Sequence, residues 1–401
     1  MKKIFFIITI ISFYYSYESK LSFYGSGQKI SNLNPSSISL GWSNLFDSNS
    51  QLNASSLSTF YNSDLVRLTM STDFKYNFIS DNQYFSQQMN YFSFLFPIQK
   101  QKKSLGFYLA PLYRINSNII EKEFSYNTDG EDPLAYKSEY NFSGGPSSFS
   151  VLFSSQITNH LSLGFKLNTI FGSLYSYGEH KIYDIDYYMD GEVYYTENSI
   201  DRYTVIKNYD GYGADFELSY HDYRNRLVAS FNVNNETNVN EYFYDDIVPE
   251  SLELGFDYDE KINYTISSPF EFNIGFSRLM NKKNTLTMEY YFYSPSDSNY
   301  NYNILGNSDL TKHRLSIGYY QNILNNKLTF SSGLYNIIST NNMLESNQYG
   351  ITFGLGINYI KYVSANICLE VGRNGMKTTE LLEENYINLY LGLSTSDKWF
   401  K

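Results

Sequence analysis

Apolar and polar residues alternate along most of this chain, and the clearest stretch is Gln348 to Tyr359, QYGITFGLGINY. Successive side chains of an extended strand point to opposite sides. Tyr349, Ile351, Phe353, Leu355, Ile357 and Tyr359 therefore share one face, and Gly350, Thr352, Gly354, Gly356 and Asn358 share the other. An apolar face with a tyrosine at each limit suits a strand lying against a bilayer, with amphipathic rings at the interfaces and hydrocarbon between them. From Val66 to Phe78 the pattern returns: Leu68, Met70, Phe74, Tyr76 and Phe78 alternate with Arg67, Thr69, Ser71, Asp73, Lys75 and Asn77. Charged residues on that second face are costly against lipid, so they must face a lumen.

Runs of the same period follow at Phe92 to Phe96, Leu105 to Leu112, Phe149 to Ile157, Leu161 to Phe171, Ala214 to Tyr220 and Leu227 to Val233. Others occupy Phe270 to Phe276, Leu286 to Phe292, Leu315 to Tyr319, Leu328 to Leu334, Val363 to Val371 and Ile387 to Leu393. With the two stretches above, they predict an all-β fold: a transmembrane antiparallel β-barrel of about 14 strands, an even number as single-chain bacterial barrels have. Connection lengths agree with this. Short links at Gln99 to Lys103, Thr158 to His160, Asp222 to Asn225, Met280 to Asn284, Asn322 to Asn326 and Ile360 to Tyr362 alternate with long ones such as Asn116 to Pro146, Gly172 to Asp210 and Asn234 to Pro269. Short turns at one rim and long loops at the other are the asymmetry of an outer-membrane barrel with both chain ends in the periplasm. Leu252 to Tyr258 also alternates and could be a further strand.

Two segments precede the first strand. Residues 1–17 read as a secretory signal: Lys2 and Lys3 form a basic start, and Ile4 to Tyr15 an apolar run too short to span a bilayer. Residues 18–64 are rich in Ser, Asn and Gly and lack sustained alternation. They could form a flexible lead-in or a hatch folded inside the barrel. The number of apolar residues, among them Phe23, Tyr24, Ile38, Leu40, Trp42 and Phe46, favours the hatch. The barrel then takes residues 65–401.

Composition narrows the function classes. The chain carries 42 Tyr and 30 Phe against 2 Trp, 8 Pro and 1 Cys, with a net charge of -11. A mean hydropathy of -0.39 argues against a helical membrane protein and suits a barrel with a polar interior. The acidic balance, with no basic stripe, argues against a nucleic-acid partner. Cys368 has no partner for a disulfide and no metal-ligand spacing around it. The chain ends INLYLGLSTSDKWFK, with Trp399 in phase with Ile387 to Leu393. An aromatic final strand is what barrel-assembly machinery is expected to recognise.

A barrel of this size behind a hatch of this length resembles the FadL family, which imports long-chain fatty acids and other hydrophobic compounds across the outer membrane. The family's hatch carries a Gly-containing stretch, an Asn-Pro-Ala motif and a Leu. Gly41 followed by Asn53, Ala54, Ser55, Ser56 and Leu57 is similar to that order, with Ala54 in place of the proline. Asn34 and Pro35, after Gly25 and Gly27, give a second register that keeps the proline. The run from SPFEFNIGFSRL at Ser268 to Leu279 through Tyr349 to Tyr359 resembles the family's late strands in order and spacing. The resemblance implies passive uptake of a hydrophobic ligand without cofactor, in contact with outer-membrane lipid, with Phe23, Tyr24, Ile38 and Leu40 lining or closing the ligand pocket. PorV-type barrels, similar in fold, serve protein secretion, so a non-transporting scaffold or secretion-system partner is an alternative; a polar-solute porin is another.

Residues that could carry chemistry form no catalytic set. His160 and His221 fall at short turns, His180 in a long connection and His313 at the start of a strand, none with a nucleophile or acid–base partner at a readable spacing. Acidic clusters mark the long connections: Asp129, Glu131 and Asp132; Asp184, Asp186, Asp190 and Glu192; Asp245, Asp246, Asp257, Asp259 and Glu260. Their spacing matches no Ca²⁺ loop, and a solvated acidic surface is the favoured reading.

Overall fold

The computed structural model describes residues 28–29, 33–48, 56–79, 82–125, 134–187, 193–234, 237–246, 260–266, 270–294, 311–324, 327–340, 345–360, 362–376 and 383–397. The chain opens with β1 (Gln28–Lys29), a short helix α1 (Pro35–Ile38) and a 3-10 turn (Phe60–Asn62). Strands then follow almost without interruption: β2 (Val66–Ile79), β3 (Asn82–Gln99), β4 (Lys103–Pro111), β5 (Tyr113–Ser125), β6 (Leu134–Gly144) and β7 (Ser147–Gln156). Next come β8 (Leu161–Tyr187), β9 (Val193–His221), β10 (Asn225–Asn234), β11 (Thr237–Asp246), β12 (Glu260–Ile266) and β13 (Phe270–Leu279). The last are β14 (Asn284–Ser294), β15 (Thr311–Ile323), β16 (Leu328–Thr340), β17 (Glu345–Ile360), β18 (Val363–Met376) and β19 (Glu383–Asp397).

Fourteen of these close into an antiparallel barrel in the order β2-β3-β4-β7-β8-β9-β10-β13-β14-β15-β16-β17-β18-β19. The ring shuts where β19 pairs with β2, from Glu384 opposite Ile79 to Asp397 opposite Val66. Outside one stretch of β3, closure gives the backbone N–H and C=O groups of the wall their partners within the sheet, which hydrocarbon demands. Each of the fourteen alternating runs in the sequence falls on one of these strands. Exposure follows the alternation: Ile351, Phe353 and Leu355 of β17 are 41–46% exposed on the outer face, whereas Thr352 between them is fully buried. Leu334, Leu369, Val371, Ile387 and Leu389 continue this apolar outer girdle over the neighbouring strands.

The long connections differ from the loops that the sequence suggests. Among the described residues of 116–146, β5 pairs with β6, and β6 pairs along the upper part of β8. In the same way β11 pairs with the upper part of β9, and β12 pairs with β11. A six-stranded sheet, β5-β6-β8-β9-β11-β12, thus continues the wall beyond the barrel on one side. Its strands mix charged and aromatic residues on both faces, so they lack the one-sided apolar pattern that marks the wall. Leu252 to Tyr258 lies outside the described residues.

At the junction between barrel and raised sheet the wall bends. Pro111, which has no N–H to offer, ends β4. Gly145 and Gly172, with φ of 131° and 127°, pack against each other there, a Cβ on Gly172 falling 2.9 Å from the Gly145 oxygen. Only glycine takes this backbone conformation without strain. Arg114 ties the bend together by donating to the Gly145 carbonyl and, at 2.8 Å, to Ser147 Oγ.

The bend leaves one stretch of wall paired on a single side. Pairing of β3 with β4 begins at Phe92 opposite Leu109. From Asn82 to Tyr91, the described pairings of β3 run to β2 alone.

Candidate functional site

Residues 33–48 and 56–65 pack against the inner wall of the barrel. Their path is set by a tight turn. Asn34 precedes α1, and Pro35 occupies its first turn, where the missing N–H costs nothing. The chain then reverses at Gly41 and Trp42, which both adopt positive φ, 77° and 63°. The reversal turns the consecutive N–H groups of Asn44 and Leu45 outward together, a backbone arrangement suited to an anion.

The wall supplies that anion. Glu289 of β14 accepts from Asn44 N at 2.9 Å, Leu45 N at 3.0 Å and Ser43 Oγ at 2.7 Å, and Arg314 of β15 donates to it at 2.9 Å. Two further carboxylates act in the same way. Glu370 of β18 accepts from Trp42 Nε1 at 2.7 Å, from Tyr390 OH at 2.6 Å and Asn388 Nδ2 at 2.9 Å, and from Tyr335 OH. Glu217 of β9 accepts from Leu57 N at 2.9 Å, Ser58 N at 3.0 Å and Ser58 Oγ at 2.5 Å. All three are at most 2% exposed. A buried carboxylate is expensive unless its lone pairs are used, and here several donors converge on each.

Between these anchors the inner segment seats directly on wall glycines. A Cβ on Gly333 of β16 would fall 2.0 Å from Gly41 N, and one on Gly354 of β17 would fall 2.4 Å from Ser39. Gly164 of β8 gives the same room to Leu57, and Gly392 of β19 faces Pro35. Small residues on the lumen phase of these strands thus bring the segment's backbone against the sheet.

Apolar contacts complete the packing. Ile38 packs with Leu33, Cys368 and Tyr390, with Trp42 alongside. Leu40 joins Leu45, Phe46 and Val228. Leu57 and Phe60 meet Tyr91, Leu95, Tyr108, Ala110 and Leu152 of β3, β4 and β7, with Tyr91 and Tyr108 stacked at 5.1 Å. This third cluster lies on the inner face of the wall where β3 loses its second neighbour.

Of the expected site residues, Asn34, Pro35, Ile38, Leu40, Gly41 and Leu57 lie on the inner segment, with Ile38, Leu40 and Leu57 in three separate clusters and residues of both alternative registers among them. Phe23, Tyr24, Asn53, Ala54 and Ser55 lie outside the described residues, as does the proposed signal. Glu217, Glu289 and Glu370 were not anticipated. Their signal is partial: Glu289 and Glu370 are each the one carboxylate on the lumen phase of their strands, whereas Glu217 shares its phase with Asp215, and the groups that all three bind lie elsewhere in the chain. The histidines are dispersed: His160 Nδ1 meets the His221 carbonyl at a short turn, His180 meets Ser138 on the raised sheet, and His313 meets Tyr290 OH on the outer face. Among the described residues no group of three or more His, Cys, Asp or Glu could hold a metal ion.

A family model described as BamG matches residues 1–401. The chain belongs to the BamG family. No curated protein matches it in sequence. Among solved structures, this BamG-family chain is similar to a Pseudomonas aeruginosa FadL homologue, at 10% identity and a TM-score of 0.57, over 94% of this chain and 100% of that one. It is also similar to the CymD monoaromatic hydrocarbon channel, at 12% identity and a TM-score of 0.54, over 91% of this chain and 97% of that one. At such identities the likeness establishes a shared FadL-type barrel fold. It does not carry over any ligand.

Proposed function

We propose that this BamG-family chain is an outer-membrane channel for passive uptake of hydrophobic compounds, with a lateral route through the wall. The observation that carries the reading is the single-sided stretch of β3, Asn82 to Tyr91, directly outside the cluster formed by Tyr91, Leu95, Tyr108, Ala110 and Leu152 with Leu57 and Phe60. An apolar molecule can exchange between bilayer and lumen there without crossing a continuous hydrogen-bonded sheet. Transfer needs no chemical step, because burial of apolar surface at each end supplies the driving force. Residues 18–64 act as the hatch, with Ile38 and Leu40 closing the floor, and long-chain fatty acids, crossing in their uncharged protonated form, are one cargo. Insertion by barrel-assembly machinery through the aromatic final strand belongs to the same reading.

A second reading, a non-transporting scaffold or secretion-system partner, is favoured by two features. The hatch is held by three buried carboxylates, and a six-stranded sheet stands above one side of the barrel, offering surface to another protein. A polar-solute porin finds less support, since the inner segment occupies the lumen at the level of the three anchors.

Native mass spectrometry of the protein extracted from outer membranes separates the first two readings. The channel reading expects a co-purified apolar molecule. An empty barrel bound to a stoichiometric protein partner would move the assignment to the scaffold.

A further inference from the structure

We propose that a hydrogen-bonding site on the inner face of the β2–β3 hairpin receives the uncharged, donor-bearing head group of an amphipathic compound. This rests on the channel reading above and adds the class of cargo.

The site is built by an irregularity in the wall. Pairing of β2 with β3 steps from Ser71 opposite Tyr91 to Thr72 opposite Met89, so Asn90 is an extra residue on β3. Such a bulge re-aims side chains, and here Asn90 and its neighbour Tyr91 are both fully buried. Around it a group of buried polar atoms finds no partner among the described residues: Ser71 Oγ, Asp73 Oδ1, both amide atoms of Asn90, Tyr91 OH and Ser93 Oγ. Ser71 lies directly opposite Tyr91 in the register, with Asp73 two residues along towards the strand ends at Ile79 and Asn82 and Ser93 two residues along in the other direction. Each such atom left unsatisfied costs roughly 1–3 kcal/mol. Their concentration on two adjacent strands marks a place made for a polar guest.

Three neighbours define that guest. The Tyr91 and Tyr108 rings, with Leu95 and Leu152, form an apolar surface joined to the polar group through Tyr91 itself. The single-sided stretch of β3 begins at the same residue, giving access from the bilayer. The charges exclude an anionic head. Asp73 engages Lys75 at 3.5 Å and Gln88 at 3.3 Å through Oδ2, leaving Oδ1 buried without a partner among the described residues. The inner segment's Asp47 acts electrostatically on both Arg67 and Tyr91. A carboxylate would meet these two acids, with the nearby cations already matched to them. A primary amide or an alcohol would instead donate to Asp73 Oδ1 or Asn90 Oδ1, and its oxygen would accept from Asn90 Nδ2.

The test compares dodecanamide, dodecanoate and dodecane binding to the full-length barrel in nanodiscs by native mass spectrometry. The site predicts that dodecanamide binds at least about tenfold more tightly than dodecanoate, as one well-placed hydrogen bond plus avoided charge repulsion requires. Asn90→Leu should remove that preference. Tyr91→Phe, which deletes only a hydroxyl, should weaken dodecanamide by about threefold, and heat-modifiable gel mobility confirms that both variants are folded. Equal binding of amide and carboxylate, or dodecanamide binding indifferent to both substitutions, would overturn the site. Dodecane binding without head-group preference overturns this inference alone, whereas failure of all three probes to bind overturns the channel reading with it.

Discussion

Glu217→Gln tests whether the wall carboxylates hold the inner segment in place. In the native protein Oε2 accepts from Leu57 N, and Oε1 accepts from Ser58 N and Ser58 Oγ. The amide keeps the shape but exchanges one acceptor oxygen for an NH₂ group that can only donate. With its remaining oxygen towards Ser58, the new NH₂ faces the Leu57 N–H, and that bond is lost outright. The two bonds to Ser58 become neutral and weaker. Hydrogen bonds to charged groups contribute roughly 1.5–3 kcal/mol, and an orphaned buried N–H costs about 1–3 kcal/mol. Burying a neutral amide in place of a charge recovers part of this, leaving a net loss of about 2–4 kcal/mol. Arg226, 4.0 Å from Glu217, loses that carboxylate in the variant, which adds to the cost. Because hydrogen exchange follows local opening, the amides of Leu57 and Ser58 should exchange about 30 to 1,000 times faster in the variant. Amides in the barrel strands should keep their native rates. Exchange at Leu57 and Ser58 within about threefold of native would refute the anchoring role, since it corresponds to less than one ordinary hydrogen bond.

Two further outcomes follow from the same geometry. Gly333→Val places a Cβ 2.0 Å from Gly41 N, against the backbone of Leu40 and Gly41, so the segment around Gly41 must lift from β16; chymotrypsin should then cut after Trp42 or Phe46 in the folded barrel, and unchanged resistance would contradict the seat. On the raised sheet, burial pushes the Glu179 carboxyl up, but donors from Lys181, Arg202 and Tyr177 outweigh it and hold the group down at about 2. A depressed value means that its stabilisation is complete above the ordinary 4.5 and is lost as pH falls through about 2. Hydrogen-exchange protection of β8 and β9 above the barrel should therefore be flat from neutral pH down to about 5, then fall towards pH 2, and Glu179→Gln should remove that dependence; a loss confined to the neutral range would refute it.

Much of the barrel was legible in the alternation alone. QYGITFGLGINY presents its apolar face outward and its small face to the lumen because a closed wall has only those two environments, and the same logic yields all fourteen strands. The hairpin β5–β6 and the pair β11–β12 were not legible. They stand above the bilayer, where neither face needs to be apolar, so Tyr, Lys and Glu occur on both. The inner segment was partly legible: too many apolar residues occur between Leu33 and Phe46 for a solvated linker, and Asn34-Pro35 marks the start of α1. Its anchors were not, because a lone Glu on the lumen phase of a strand announces polarity but not its partner, and Glu370 finds Trp42 only through the fold. The glycines at 333 and 354 carry a subtler signal, since small residues concentrated on one inner face indicate that another backbone approaches closely.

The central claim is that apolar molecules reach the inner cluster through the wall at β3. A photoactivatable alkyl diazirine, applied to the protein in bilayers and mapped by peptide mass spectrometry, tests it most directly. The account predicts labelling of the inward residues Leu95 and Tyr108 together with lipid-facing side chains such as Phe92 and Leu334. Labelling restricted to the outer face, with Leu95 and Tyr108 untouched, would contradict it.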